Sequence, residues 1–160
     1  MSAGPVTVGL ISDTHGLVRP GVHDALAGVS LILHAGDVGG DEVLDELALI
    51  APVTAVHGNT DWPGDPRLVA EIEREIGGVT VHVSHGHEVG RTTPEALLAR
   101  YTADVIVYGH THRQLVTRVA GRLVVNPGAA GPRRFDLSPS VGRLTVRDGI
   151  IDVEIVPLPY

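Results

Sequence analysis

The sequence predicts an α/β fold with a sheet covered on both faces. In the first part of the chain, short apolar segments rich in Val, Ile and Leu alternate with short amphipathic helical patterns, and glycine bounds most of the apolar segments. Uninterrupted apolar strands are typical of sheets buried on both faces. Their alternation with helices is typical of βαβ units, so α/β is the predicted fold class.

Three strands and two helices are predicted before the middle of the chain. The first strand is Val6–Ser12, and the loop behind it leads into a short helix after Pro20. The second strand, "SLILHAGD", precedes a helix over Asp41–Ile50 that has acidic residues in its first turn and apolar residues on one face. The third strand is "VTAVHGN".

The rest of the chain changes from helical to mainly β patterns. The start of "RLVAEIEREIGGVTVHVSHG" is compatible with a helix, but Gly77 and Gly78 favour a hairpin turn between two strands. Thr93 as N-cap and Pro94 at the first helical position predict a helix. After "VIVYGH", strands follow without helices: "RLVVNPG", "VGRLTV" and "IDVEIVPL". With no linker or repeat, we expect one domain over residues 1–160.

The composition disfavours several functional classes. Cysteine is absent, which excludes disulfides, iron–sulfur clusters and thiolate zinc sites. The net charge is −7 and the basic residues, all arginine, form no long basic run, so no nucleic-acid surface is expected. No apolar run approaches the roughly 18 residues of a membrane span. The N-terminal stretch also lacks the basic region of a signal peptide, so we expect a cytoplasmic location and no membrane partner.

Five predicted strand ends carry carboxylate, amide or imidazole side chains. Because the carboxyl ends of neighbouring strands meet at one edge of a sheet, we expect these side chains to converge. Positions i and i+2 of an extended chain project to the same side, so His110 and His112 can face one centre. In chain order the five segments are Asp13-Thr14-His15, Gly36-Asp37, Gly58-Asn59, His85-Gly86-His87 and Gly109-His110-Thr111-His112.

This donor set is larger than one metal ion needs. A zinc site takes three or four ligands, whereas two aspartates, one asparagine and four or five histidines are available here. Oxygen and nitrogen donors of this kind suit two divalent ions of the manganese, iron or zinc type. Two such ions can polarise a phosphoryl group and deprotonate a water molecule.

Each segment alone has a structural explanation. Asp37 is a candidate loop or N-cap residue before the helix, Asn59 suits a turn, and His87 suits a position behind the ligands or in solvent. Four further histidines lie on predicted strand or helix bodies and are interpreted as structural, although His57 is close to Asn59. They are His23, His34, His57 and His82. The ordered set, rather than any single segment, supports the metal site.

The order of these segments resembles the calcineurin-like metallophosphoesterase superfamily. "ISDTHG", "HAGD", "HGNTD", "SHGH" and "YGHTH…NPG" look most like its small single-domain prokaryotic phosphodiesterases. The resemblance implies a four-layer α/β/β/α sandwich with a binuclear centre that contains two divalent ions. Manganese is the expected metal, with iron, zinc or nickel as alternatives, and a small phosphoester is the expected substrate.

The resemblance also implies roles for individual residues. The first ion would be bound by Asp13, His15 and His112, and the second by Asn59, His85 and His110. Asp37 would bridge the two ions. Asp37, Asn59 and His85 would act in catalysis through a metal-bridging hydroxide that attacks phosphorus in line with the departing group.

Two positions depart from the pattern of the family. Many members have histidine where Thr60 stands, and the loss of a general acid costs about 10²–10⁴-fold for a poor leaving group. We therefore expect diesters to be favoured over monoesters. Ala129 stands where serine usually follows "NPG". Arg133 and Arg134 follow, and either contact phosphate or form an exposed, solvated pair.

The sequence also bears on two other functions. The resemblance extends to a retromer subunit that uses this fold as a protein-binding scaffold and has a degraded metal site. Here every ligand position is filled, which favours the enzyme. A nuclease would need a basic groove or stacking aromatic residues, and aromatic residues make up only 3% of the chain. A homo-oligomer is compatible with the sequence.

Overall fold

The protein is a four-layer α/β/β/α sandwich. The structure is a computed structural model that describes residues 4–134 and 136–159. Two sheets pack face to face, one of six strands and one of five, and helices cover their outer faces. This architecture confirms the α/β class and the layer order that the resemblance implied.

The strands are numbered along the chain. They are β1 (Val6–Ile11), β2 (Leu31–His34), β3 (Val53–Val56), β4 (Leu68–Val69), β5 (Ile72–Ile76), β6 (Val79–Val83), β7 (Val105–Val107), β8 (Leu115–Val119), β9 (Arg122–Asn126), β10 (Ser140–Arg147) and β11 (Ile150–Pro157). The first sheet has the order β11-β10-β1-β2-β3-β4, and the second has the order β5-β6-β7-β9-β8. β1 to β4 run parallel, as do β6, β7 and β9, so their carboxyl ends form one edge in each sheet.

Alternation along the strands builds the layers. On β1, Val8 and Leu10 are buried against the second sheet, while Ile11 packs on the helix side. The helices of that side are α1 (Gly21–Ala25) and α2 (Asp41–Leu47). A third helix, α3 (Pro94–Arg100), covers the outer face of the second sheet through Leu97.

Most elements predicted from the sequence are confirmed. Gly77 and Gly78 form the turn between the antiparallel strands β5 and β6, and both have positive φ. The Thr93 hydroxyl accepts a hydrogen bond from the backbone N–H of Ala96 at 3.2 Å and caps α3. The helix predicted over Asp41–Ile50 ends early, at Leu47, and the N–H groups of Leu49 and Ile50 bond three residues back instead of four.

Two strands were not predicted. β4 has only two residues, and β8 lies at an edge of the second sheet with mostly partly exposed or exposed residues, so neither gives a buried apolar pattern. Within residues 4–134 and 136–159, no helix is long and apolar enough to cross a membrane.

Candidate metal centre

The seven predicted ligands meet at the carboxyl ends of parallel strands from both sheets. β1, β2 and β3 of the first sheet lead into the loops that carry Asp13, Asp37 and Asn59. β6 and β7 of the second sheet lead into the loops with His85 and His110. The sandwich therefore places the polar ends of five strands along one edge, as expected for ligand sites in α/β sheets.

The backbone is unusual at five of the predicted ligands. These non-glycine residues have positive φ, a region that costs on the order of 1–3 kcal/mol and that clusters at functional sites. Among the described residues only Ala120 and Asp148, both beside a glycine of positive φ in a hairpin, share this feature. The five ligands and their φ values are Asp13 (54°), His15 (45°), Asp37 (55°), His110 (69°) and His112 (62°).

Neighbouring glycines let these loops approach one another. A Cβ atom at Gly109 would overlap the Ser12 hydroxyl and lie 2.6 Å from Asp13 Oδ2. At Gly58, a Cβ atom would overlap the Asp37 carboxylate. The close approach of strand ends therefore requires glycine at both positions.

Three predicted ligands form a compact group around Asp13. Asp13 Oδ1 lies 3.3 Å from His112 Nε2 and 3.8 Å from His15 Nε2. The two imidazole Nε2 atoms are 3.4 Å apart. These three donors could hold one cation between them, since their ligand atoms all lie within 4.8 Å of one another.

A second group shares Asp13 and adds Asp37 and His85. Asp37 Oδ2 is 3.3 Å from His85 Nε2 and 3.7 Å from His15 Nε2. Asp13 Oδ1 is 3.9 Å from His85 Nε2. Asp37 thus lies near one imidazole of each predicted ligand set, as Asp13 does, so both carboxylates lie between the two sets.

Asn59 and His110 lie at the outer side of the second group. Asn59 Oδ1 is 3.2 Å from His110 Nδ1, and the His110 ring meets the His85 ring edge-on with centroids 5.1 Å apart. The backbone N–H of His110 donates to Asp13 Oδ2 at 3.1 Å. These two side chains are more exposed than Asp13 and His85, which are fully buried.

Two unpaired atoms test whether the residues fit metal ions. Asp13 Oδ1 and His85 Nε2 are buried and form no hydrogen bond with the part of the chain that the structure describes. A buried polar atom without a partner costs about 1–3 kcal/mol, so these atoms are expected to have one. Both belong to the group of oxygen and nitrogen donors with Asp37, and such donors suit a divalent cation. The residues fit the metal centre.

The orientation of His85 supports this fit. Its Nδ1 lies 2.8 Å from the carbonyl oxygen of Ala35, to which it donates. Metal-binding imidazoles are commonly fixed in this way, with the other nitrogen facing the ion. Burial lowers the pKa of His85, but the adjacent Asp37 carboxylate and the charge of Asp13 outweigh it and raise the pKa. A cation at the same place would replace the proton beside these carboxylates.

The two aspartates remain ionised in these surroundings. Burial raises the pKa of Asp13, but the adjacent His112 imidazole and the charge of His85 lower it below its usual range. The pKa of Asp37 is also lowered, because the adjacent His85 imidazole and the hydrogen bond from Thr60 outweigh the effect of burial. Ionised carboxylates are the form that binds divalent cations.

Asp61, which sequence reasoning did not single out, ties two of the site loops together. Its carboxylate accepts hydrogen bonds from the backbone N–H groups of Val38, Gly39 and Gly58 at 3.0, 3.1 and 2.9 Å. The loop that carries Asp37 is thereby attached to the loop that carries Asn59. The only sequence signal was its place in "HGNTD".

His34, interpreted from the sequence as structural, connects two loops from the interior. Its Nδ1 accepts the N–H of Gly36 at 3.0 Å, and its Nε2 lies 2.9 Å from the Thr14 hydroxyl. The Thr14 hydroxyl in turn donates to the carbonyl of Val38 at 2.7 Å. Burial lowers the pKa of His34 to about 4, so the ring is neutral and joins the loops of Asp13 and Asp37.

Asn126 supports the loop of His110 and His112. Its amide nitrogen donates to the Gly109 carbonyl and to the Thr111 hydroxyl, both at 3.1 Å. "NPG" marked this residue as part of a motif but did not indicate its contacts. The Ser12 hydroxyl likewise supports Asp13 by donating to Oδ2 at 2.6 Å.

The remaining histidines differ in their distance from the centre. The ring of His87 is 5.4 Å from that of His85, so it borders the site. His57 Nδ1 is buried without a hydrogen-bond partner in the described part of the chain. His82 stacks on Tyr101, and His23 pairs with Glu46 at the surface. Arg133 and Arg134 are exposed. Burial lowers the pKa of His15, the charges of Asp37 and Asp13 oppose this effect, and the positive charge of Arg134 lowers the pKa further.

The fold and the donor set agree with one protein family. Residues 6–149 match the model of the calcineurin-like phosphoesterase superfamily domain, and the chain belongs to this family. The divalent metal ions expected from the sequence are those that this family implies.

Relatives of known name lie within the same family. The chain is 35% identical to a protein named "probable metallophosphoesterase" from Methanocaldococcus jannaschii, over 97% of this chain and 83% of that one. A phosphodiesterase of the same organism is 30% identical over 76% of this chain and 82% of its own length. Among solved structures, Entamoeba histolytica Vps29 in complex with zinc superposes with a TM-score of 0.78 and 26% identity, covering 95% of this chain and 99% of that chain.

Proposed function

We propose that the protein is a metal-dependent phosphodiesterase with a binuclear centre. The observation that carries the proposal is the pair of buried, unpartnered atoms, Asp13 Oδ1 and His85 Nε2, which face one cluster of donors. The phosphodiesterase among the relatives supports the reaction class. When bound, a pair of divalent ions polarises a phosphoryl group and activates water for in-line attack.

The chain would hold the two ions in two sets joined by Asp37. Asp13, His15 and His112 form one set, and the contacts among their ligand atoms support it. The second set is Asn59, His85 and His110. The hydrogen bond between Asn59 and His110 must break before both side chains bind an ion.

The surroundings of Thr60 favour diesters. Its backbone N–H donates to Asp37 Oδ1 at 3.0 Å, and its side chain has no nitrogen that could protonate a leaving group as an imidazole does. A diester with a good leaving group needs little protonation, whereas a monoester with an alkoxide leaving group needs more. His87 borders the site and is a second candidate for contact with the substrate.

The proposed metal is manganese, with iron, zinc or nickel as alternatives. Mixed carboxylate, amide and imidazole donors accept all four, and availability decides among them. Zinc is present in the similar Vps29 structure from Entamoeba histolytica. The cytoplasmic location, the single domain and a homo-oligomer stay predictions from the sequence.

A protein-binding scaffold is the second candidate function. It is favoured by the likeness to Vps29, whose full name is vacuolar protein sorting 29. The filled ligand positions and the phosphodiesterase among the relatives favour the enzyme instead. Hydrolysis by the metal-loaded chain separates the two.

The test compares hydrolysis of bis(p-nitrophenyl) phosphate and p-nitrophenyl phosphate by manganese-reconstituted protein. We expect the diester to be preferred, and Asp37→Asn and His112→Ala to lower its hydrolysis by more than about 10²-fold. Asp152→Asn and His23→Ala are matched controls, because Asp152 is exposed on β11 and His23 pairs with Glu46 at the surface. Full activity in both site variants would rule out the two-metal assignment.

A further inference from the structure

A cavity of about 380 Å³ lies directly beside the metal centre. Its lining comes from two loops, the one that follows His112 and the one that precedes β10. The six lining residues are His112, Arg113, Gln114, Asp136, Leu137 and Ser138. Because His112 belongs to the proposed ligand set, the cavity adjoins the place where a diester would bind.

The lining contains hydrogen-bond donors and acceptors of both charges. The Arg113 guanidinium offers only donors, the Asp136 carboxylate offers only acceptors, and the Gln114 amide offers both. All three side chains are exposed to solvent, so they are reached without a change of fold.

This mixture favours neither a charged nor a purely apolar arm. A carboxylate or phosphate would be attracted to Arg113 but repelled by Asp136, and an ammonium group the reverse, so neither sign of charge gains a clear advantage. A purely apolar arm would cover these polar groups and give no hydrogen bonds in return, which is unfavourable. A hydroxyl group both donates and accepts, so hydroxyls can satisfy Arg113 and Asp136 together.

We propose that this cavity binds a neutral, hydroxyl-bearing arm of the substrate, such as a glycerol or a sugar. The inference rests on the proposed phosphodiesterase function and names the substrate class of that site. Asp136 accepts hydrogen bonds from the hydroxyls, and Arg113 donates to their oxygens. The substrate is then a diester with one polyol arm in this cavity.

The test uses two p-nitrophenyl phosphodiesters whose second arm is either 3,4-dihydroxybutyl or butyl. They differ only in two hydroxyls, and neither places a hydroxyl where it forms a five-membered ring with phosphorus. With manganese-loaded wild-type protein, we expect kcat/KM about tenfold higher for the dihydroxy ester, the effect of one or two hydrogen bonds. The readout is the ratio of the two kcat/KM values.

Two variants test whether the ratio of the two kcat/KM values depends on the cavity. Asp136→Ala and Arg113→Gln are expected to bring the ratio close to one, with thermal unfolding as the check that these exposed positions keep the fold. Asp152→Ala and Arg147→Gln are matched controls that keep the ratio. They lie in the β10–β11 hairpin near the amino end of β1, because Val146 pairs with Val6.

The outcomes are distinguishable. A ratio near one in the wild type, or a tenfold ratio that survives both cavity variants, would overturn the inference while leaving the phosphodiesterase function intact. If neither ester is hydrolysed by the metal-loaded protein, the proposed function fails and the inference fails with it.

Discussion

The inner and outer parts of the metal centre are built differently. The inner part, here called the floor, consists of Asp13, Asp37 and His85, which are buried. The outer part, here called the rim, consists of Asn59 and His110, which are more exposed and bonded to each other. The floor is held by interior contacts, such as Ser12 to Asp13 and the Ala35 carbonyl to His85.

This difference indicates a preformed floor and an adaptable rim. Floor atoms have little freedom and carry unsatisfied hydrogen-bonding capacity, which favours a cation that is bound tightly. Rim side chains can exchange their mutual bond for an ion or for water at small cost. Variants in the floor should therefore have larger effects than variants in the rim.

The largest effect is expected from Asp13→Asn. The substitution removes a carboxylate shared by both ligand groups and places a neutral amide in its position. Manganese affinity measured by calorimetry should fall by more than about 10²-fold, while the metal-free fold is retained. Unchanged affinity would show that the floor is not the binding element, and Asp152→Asn is the matched control.

A pH effect follows from His34 below the floor. Its pKa is lowered from 6.5 to about 4 by burial, so the unfolded chain binds more protons than the folded one in this range. Stability is therefore complete above pH 6.5 and is lost as the pH falls toward 4, by about 3 kcal/mol in total. Urea unfolding of the metal-free protein at several pH values measures this loss.

His34→Gln is the variant that checks the assignment. It removes the titrating ring and should reduce the slope of stability against pH between 6.5 and 4. The surface variant His23→Gln should keep the wild-type slope, since His23 is partly exposed and paired with Glu46. Equal slopes in wild type and His34→Gln would place the acid sensitivity elsewhere.

Asp61→Asn should have an intermediate effect, because Asp61 joins the floor loop to the rim loop. An amide keeps one acceptor but loses the charge that serves three backbone N–H groups. We expect manganese affinity to fall by about 10–100-fold, the range for residues that orient ligands. Asp65→Asn, in the same loop, is the control, and a titration in which both variants resemble wild type would contradict this role of Asp61.

The smallest effect is expected from Asn59→Ala in the rim. Its side chain is exposed and contacts His110 rather than the floor, so water can take its place. Affinity for one of the two ions should fall by about tenfold or less, as seen in a two-site binding isotherm. A loss as large as that of Asp13→Asn would remove the distinction between floor and rim.

Sequence reasoning predicted the ligands at the strand ends better than the residues that hold those ligands in place. The alternation of apolar strands and polar ends predicted the α/β class and brought Asp13, Asp37 and His85 to one edge. It missed β4 and β8, because a two-residue strand and a largely exposed edge strand carry little apolar signal.

The supporting residues could not be identified from residue type alone. Asp61 is an ordinary turn aspartate in the sequence, and its three backbone contacts depend on how two distant loops pack. His34 has the pattern of a buried strand residue, and its link to Thr14 arises only when β1 and β2 pair. Long-range packing, rather than local sequence, decides these roles.

Metal stoichiometry tests the central claim most directly. Metal-free protein is dialysed against manganese and its metal content measured per chain, for wild type and for Asp13→Asn. The account predicts two ions per wild-type chain, held by residues that include the unpartnered atoms of Asp13 and His85, and a reduced content in the variant. One ion or none in the wild type, with no difference in the variant, would contradict it.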